Sequence, residues 1–295
     1  ILCLKEVFFM VKLIPVKYHR LDYPAGINPT VQEVSGVFGK ERLEPCSKKL
    51  SLHTEFSFGS RNLQKGPVSR YPCLCRSQKN GIPQLWKSRQ WAKEFAEYVM
   101  EFCGDQIPSI LEVHPPFAEY SSLESFLDVY SVFEEQIKPV YREVRILVEN
   151  RYGTQYQPSP FVFSRLDSFL ELSSRLDRSG LQLKMAFDVP QLLSAHRIRP
   201  STSSSIQEML EALTAVRKNI LGIHLWGKGP NGGAHCGDLN SYFRGKQAVK
   251  RLLLNSLYRL LDDDSPRYFV PEVNSCQADL DSIVGDLLES GFTFI

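Results

Sequence analysis

Six apolar, β-rich runs in this chain each carry an imidazole or a carboxylate at or near the end. They are LSLHTEF with His53, ILEVHPPF with His114, VRILVEN with Glu149, LKMAFDV with Asp188, LGIHLWG with His224 and RYFVPEV with Glu272. A strand covered on both faces has no solvated side to alternate toward, so short apolar runs separated by helix-length amphipathic stretches read as parallel strands in repeated βα units. Closing such units into a barrel brings the strand ends together on one face. Core packing asks for no charge there, whereas converging imidazoles and carboxylates build a polynuclear metal site.

VKLIPVKY before the six runs and GFTFI after them bring the strands to eight, the number in a (β/α)8 TIM barrel. Hydrophobic spacing predicts helices over 83–102, 122–142, 164–178, 204–219, 246–262 and 277–290. Leu123, Phe126, Leu127 and Tyr130 recur at three- and four-residue steps, as do Ile206, Met209, Leu210 and Leu213, giving each helix a stripe to lay on the sheet. Ser164 and Ser204 are the expected helix starts. At 295 residues, 43% of them hydrophobic, the chain can bury one large core, and the expected organisation is a single barrel domain over 1–295.

A net charge of +2 excludes a generally basic polyanion binder, so any anionic partner must meet local patches. One is the stretch from Gly59 to Pro83, too long for an ordinary connection. It holds Arg61, Lys65, Arg70, Arg76 and Lys79 without an acid; Arg197 and Arg199 form a second basic spot. Seven scattered cysteines without a CxxC fit free thiols in a reducing cytoplasm, which is the expected location. No apolar run is long enough to cross a membrane. The opening ILCLKEVFFMVKLIPVKY, broken by Lys5, Glu6 and Lys12, reads as strand rather than signal peptide; without an initiator Met, the start is either trimmed or at Met10.

Mixed carboxylates and imidazoles suit zinc, manganese or iron(II), while magnesium and calcium favour all-oxygen shells. The Gly-rich loop WGKGPNGGAHCGDLNSYF at 226–243 adds His235 and Asp238 to the candidates. The bland alternative pairs the acids with arginines such as Arg145 or Arg151. Trp226 and Tyr152 follow ligands closely enough to wall a pocket, Arg151 and Lys228 to hold a phosphate or sugar oxygen, and His196 to reach substrate; His19 carries no signal.

These ligand-bearing strands resemble the xylose isomerase-like barrel superfamily, which contains the endonuclease IV type of apurinic/apyrimidinic endonuclease and many sugar isomerases and epimerases. The resemblance spans roughly Leu50 to Asn274. Both branches share acids at the positions of Glu149, Asp188 and Glu272 and a histidine at that of His224. The endonuclease branch adds histidines matched by His53 and His114, and an acid–histidine loop pair that His235 and Asp238 match in reversed order. Gln191 stands where that branch has a second histidine, and Trp226 with Gly227 replaces its asparagine–aspartate dipeptide.

The resemblance implies a metal-dependent phosphodiesterase acting on nucleic acid, most simply DNA, with more than one zinc or manganese ion. Glu149 would bridge the ions, His53 and His114 completing one position and Asp188, His224 and Glu272 the other. Arg151, Tyr152, Gln191, His196, Trp226 and Lys228 would face the substrate. In the sugar isomerase alternative, a single ion sits among Glu149, Asp188, His224 and Glu272, with Glu149 and Glu272 moving protons and His53 and His114 touching the sugar. A barrel retained only as a binding module is the non-enzymatic alternative.

Overall fold

The computed structural model describes residues 10–57, 59–152, 160–198, 204–229 and 232–295. Eight parallel strands close on themselves: β1 (Lys12–Lys17), β2 (Val31–Gly36), β3 (Lys49–Thr54), β4 (Pro108–Val113), β5 (Arg145–Glu149), β6 (Lys184–Asp188), β7 (Ile220–Leu225) and β8 (Arg267–Pro271). Each pairs with its successor, and β8 returns to β1 with Leu13 opposite Arg267 and Pro15 opposite Phe269. The α/β barrel rests on this closure.

The eight strands are not quite those expected. VQEVSG forms β2, while GFTFI contributes only a two-residue strand, β9 (Thr293–Phe294), lying parallel to β1 at Lys12 and Leu13 and outside the ring. Gln32, Glu33 and Ser35 make β2 too polar for an apolar-run criterion, yet its backbone pairs with β3 along all six residues. The polar residues are tolerated because Glu33 enters a charged chamber rather than a greasy core.

The helices follow the expected stripes: α1 (Arg89–Cys103), α2 (Leu123–Val140), α3 (Leu166–Ser179), α4 (Ser204–Leu213), α5 (Gln247–Leu261) and α6 (Gln277–Glu289). Ser122 caps α2 by accepting from Ser125 N. At α3 the cap position is Arg165 rather than Ser164, and the Ser168 hydroxyl accepts from both their backbone N–H groups.

Strand alternation then places the site. Leu111, Val113, Ile146, Val148, Met185, Phe187, Ile223 and Phe269 point outward into the main core beneath the helices. Val16, Val31, Ile110, Leu147, Ala186 and Val270 form a separate apolar layer inside the barrel. Two residues further along the same strands, on the same face, stand Glu33, Glu112, Glu149, Asp188 and Glu272. The interior is therefore apolar below and acidic above, at the carboxyl ends where such barrels carry chemistry.

The basic stretch is a small folded lobe. Lys79 and Ile82 pair across an Asn80–Gly81 turn, both turn residues having positive φ (53° and 77°), the conformation that favours this dipeptide. Leu63, Val68, Tyr71 and Leu74 are buried in the core shared with α1. The Glu94 carboxylate on α1 accepts from the backbone N–H groups of Cys73 and Leu74. Acids from outside the lobe meet three of its five cations: Glu55 with Arg61 at 2.9 Å, Glu101 with Arg70 at 2.5 Å, and Glu119 with Lys79.

Candidate metal centre

Strand register brings the ligand-type residues side by side. His53 on β3 is opposite Glu112 on β4, and Asp188 on β6 is opposite His224 on β7. His114 follows β4, Glu149 ends β5 and Glu272 follows β8. Among the described residues, His53, His114 and Glu149 offer donor atoms within 4.8 Å of one another, as do Asp188, His224 and Glu272, and Glu112, Glu149 and His224. All six strand-end residues expected as ligands converge in one buried chamber.

The hydrogen bonds orient the imidazoles. His114 Nδ1 lies 3.2 Å from the carbonyl of Glu55, which can only accept, so the N–H is on Nδ1 and the Nε2 lone pair points into the chamber. That lone pair faces Glu149 Oε2 at 2.8 Å and His53 Nε2 at 3.0 Å. His53 Nδ1 in turn donates to Glu33 Oε1 at 2.9 Å. A histidine anchored through one nitrogen by an oxygen and presenting the other is the arrangement of metal-ligating histidines. Glu33 fills the anchoring position although neither composition nor apolar patterning marked it.

The second triad is held through its carboxylate instead. His224 Nε2 is 3.1 Å from Glu112 Oε2, and its Nδ1 is 3.3 Å from Glu272 Oε1 without a hydrogen bond. Asp188 Oδ1 accepts from Gln191 N and Oδ2 from the Trp226 indole N–H, both at 2.9 Å. Asn150, fully buried, locks the Asp188 backbone by accepting from its N–H and donating to its carbonyl. Buried atoms left without partners include Glu33 Oε2, Glu112 Oε1, Glu272 Oε2, His224 Nδ1 and Arg151 Nε. Unpaired buried oxygens cost free energy unless a cation completes them, so the donor set fits a metal.

Electrostatics report the same shortage of positive charge. Burial opposes a charged His53, but Glu33 and Glu112 outweigh it and hold the imidazole well above its ordinary range; Glu112 and Glu272 do the same for His224. Burial beside Glu272 and Glu149 pushes Asp188 far up. Glu149 is the reverse: burial would raise it, but Arg151 and His114 hold it well below the usual carboxylate range.

Several expected residues have other roles. The oxygens of Asp238 are taken up capping the short helix Leu239–Tyr242: Oδ1 accepts from Ser241 N and Oγ, and Oδ2 from Asn240 and Ser282, so Asp238 is not in the ligand cluster. His235 stays at the edge, its Nδ1 3.2 Å from Glu272 Oε2 and its ring stacked on Trp226 at 4.6 Å. Gly227 lets that loop close, since a Cβ there would meet the Asp238 carbonyl oxygen at 2.2 Å. His196 lies away from the ligands, its Nε2 accepting from Leu166 N at the start of α3.

Arg151 touches Glu149 at 3.5 Å, whereas Arg145 makes no ion pair among the described residues. Gln191 accepts from Tyr152 N, the Tyr152 side chain is exposed, and the Lys228 ammonium sits 4.8 Å over the Tyr242 ring. Arg199 lies outside the described residues. His19, with no signal in the sequence, follows β1 at positive φ (50°) and feels the charges of Glu33 and Glu272. Glu112 shares strand parity with His114, a glutamate inside a buried run, and that is the signal by which it could have been found.

No family model matches the chain, and no curated protein matches it. The chain is distantly similar to solved structures. An E. coli 3-keto-D-glucoside 4-epimerase in its apo form is 10% identical, with 93% of this chain and 98% of that chain covered at a TM-score of 0.45. A family 2 AP endonuclease from Brucella melitensis is 12% identical, with 81% and 78% covered at 0.44. Among the described residues, no helix is long and apolar enough to cross a membrane.

Proposed function

We propose that the chain is a metal-dependent phosphodiesterase with two divalent ions, zinc or manganese, acting on nucleic acid. The carrying observation is a charge count. Glu33, Glu112, Glu149, Asp188 and Glu272 are five buried carboxylates around one chamber. Arg151 is the one arginine or lysine paired with them among the described residues. Ionised, they leave four negative charges to be met, the charge of two divalent ions. His53, His114 and Glu149 would hold one position, Asp188, His224 and Glu272 the other.

Two such ions, when bound, would supply Lewis acidity toward a phosphoryl oxygen and lower the pKa of bound water. The protein's own groups do the rest. Glu33 and the Glu55 carbonyl fix the two imidazoles, while Trp226 and Asn150 fix Asp188. Arg151, its Nε unpaired beside Glu149, is the donor for a substrate oxygen. The stacked Trp226 and His235 wall the chamber on the Glu272 side.

The test is metal stoichiometry by inductively coupled plasma mass spectrometry on the intact chain and on a His53→Ala/His114→Ala double variant. Two ions falling to about one support the reading, following the ligand count. One ion in the unmodified chain, unchanged in the double variant, supports a sugar or sugar-phosphate isomerase with a single ion among Glu149, Asp188, His224 and Glu272. One observation favours that second reading: acids already pair with three of the five cations in the basic lobe, leaving Lys65 and Arg76 for a polyanion.

A further inference from the structure

Glu112 is not among the strand-end residues expected as ligands, yet it occupies the middle of the chamber. It is 1% exposed, and its two oxygens face different triads. Oε2 is 3.1 Å from His224 Nε2, on the Asp188 and Glu272 side. Oε1 is 3.8 Å from His53 Nε2, on the His114 side, and has no hydrogen-bond partner. Glu112, Glu149 and His224 also form a donor group of their own, all three buried.

We propose that Glu112 is a metal ligand, a second carboxylate bridge that joins the two triads alongside Glu149. A carboxylate with no role beyond orienting His224 needs only Oε2 and would turn its other oxygen to a donor; here that oxygen is sealed from water and aimed at the opposite triad. Burying it without a partner costs free energy that a bridging position removes. The register explains the placement. Glu112 is opposite His53 and two residues from His114, so β4 alone delivers one ligand to each level of the chamber.

This inference rests on the dinuclear reading, and one experiment separates the two. The intact chain is loaded with manganese, and ions per chain, chelator-competition affinity and the electron paramagnetic resonance spectrum are measured beside Glu112→Gln. Expected are two exchange-coupled ions in the unmodified protein. In Glu112→Gln the coupling should weaken, Glu149 still joining the two positions, and one ion should be held more weakly by more than the roughly 10–100-fold that an outer-shell partner is worth. A variant keeping both ions, the coupled spectrum and affinity within about tenfold, below that outer-shell range, overturns the Glu112 assignment alone. An unmodified chain holding fewer than two ions overturns the dinuclear reading, and the bridge with it. If Glu112→Gln does not fold by circular dichroism, Glu112→Asp keeps the charge and withdraws the oxygens by one methylene. It should alter the coupling, and an unchanged spectrum there also overturns the bridge.

Discussion

His53 and His114 meet Nε2 to Nε2 at 3.0 Å, their rings stacked with centroids 4.7 Å apart. Each is anchored through Nδ1, to Glu33 and to the Glu55 carbonyl, so two inward-facing nitrogens compete for whatever positive charge lies between them. Without a metal one of them must carry a proton. Burial pulls His114 down to about 4 against the attraction of Glu149, whereas the carboxylates around His53 hold it up, so His53 is the one protonated.

That asymmetry makes metal binding a proton-releasing reaction. Their carboxylate neighbours raise His53 and His224, and burial raises Asp188, so all three favour the protonated form, and a bound cation would compete with those protons. Titrating zinc calorimetrically in buffers of different ionisation enthalpy should reveal more than one proton released per chain at pH 7. No release would place the zinc elsewhere.

The same groups set the pH dependence of the metal-free protein. A raised folded pKa contributes stability that is full below the unfolded value and lost as pH rises through the folded one. His53, His224 and Asp188 therefore favour the fold in mild acid and stop doing so toward alkaline pH. His114 acts oppositely, but only as pH falls from the ordinary imidazole range toward about 4. The thermal midpoint of the metal-free chain should decline from pH 7 to pH 9, and a metal-loaded sample should decline less. Equal slopes would dissociate the cluster from metal binding.

Glu149→Gln removes charge with little change in volume. The variant should keep a native circular dichroism spectrum and lose most bound metal, because Glu149 reaches both His114 and His53. Unchanged metal content by plasma mass spectrometry would remove Glu149 from the ligand set.

Trp226→Phe keeps a ring to stack on His235 but deletes the donor to Asp188 Oδ2. Loss of such an outer-shell bond is expected to weaken zinc or manganese binding by roughly 10–100-fold, read by chelator competition, without unfolding the barrel.

The cations of the basic lobe should divide into two classes. Glu55 is fully buried, with Arg61 its ion-pair partner and the Phe38 and Phe56 N–H groups its other donors, so Arg61→Ser should destabilise the chain in urea unfolding by about 1.5–3 kcal/mol, the worth of one hydrogen bond to a charged group. Lys65 and Arg76 are exposed and make no ion pair among the described residues. Replacing both with serine should leave stability unchanged and flatten the salt dependence of DNA binding by up to about 0.9 in log–log slope per lost phosphate contact. Absence of DNA binding by fluorescence anisotropy at low salt would favour a small sugar substrate instead.

Read as a sequence, the chain itself determined a barrel of βα units, because apolar runs buried on both faces and three- and four-residue stripes are local consequences of strand and helix geometry. Glu149, Asp188, His224 and Glu272 were legible for the same reason: each ends such a run on the interior parity. Only the tertiary structure decided the rest. Glu33 sits on a strand whose polarity hid it, and it becomes an anchor only when β2 and β3 pair. Asp238 looked like a ligand, but its oxygens are taken up by Ser241 and Asn240 nearby and by Ser282, 44 residues away. The acid-free lobe reads as five free cations until the fold brings Glu55, Glu101 and Glu119 onto three of them. Local periodicity sets which face a side chain takes, but its partner comes from whatever distant residue the fold brings there, and that partner decides whether a charge is a ligand, a cap or half of an ion pair.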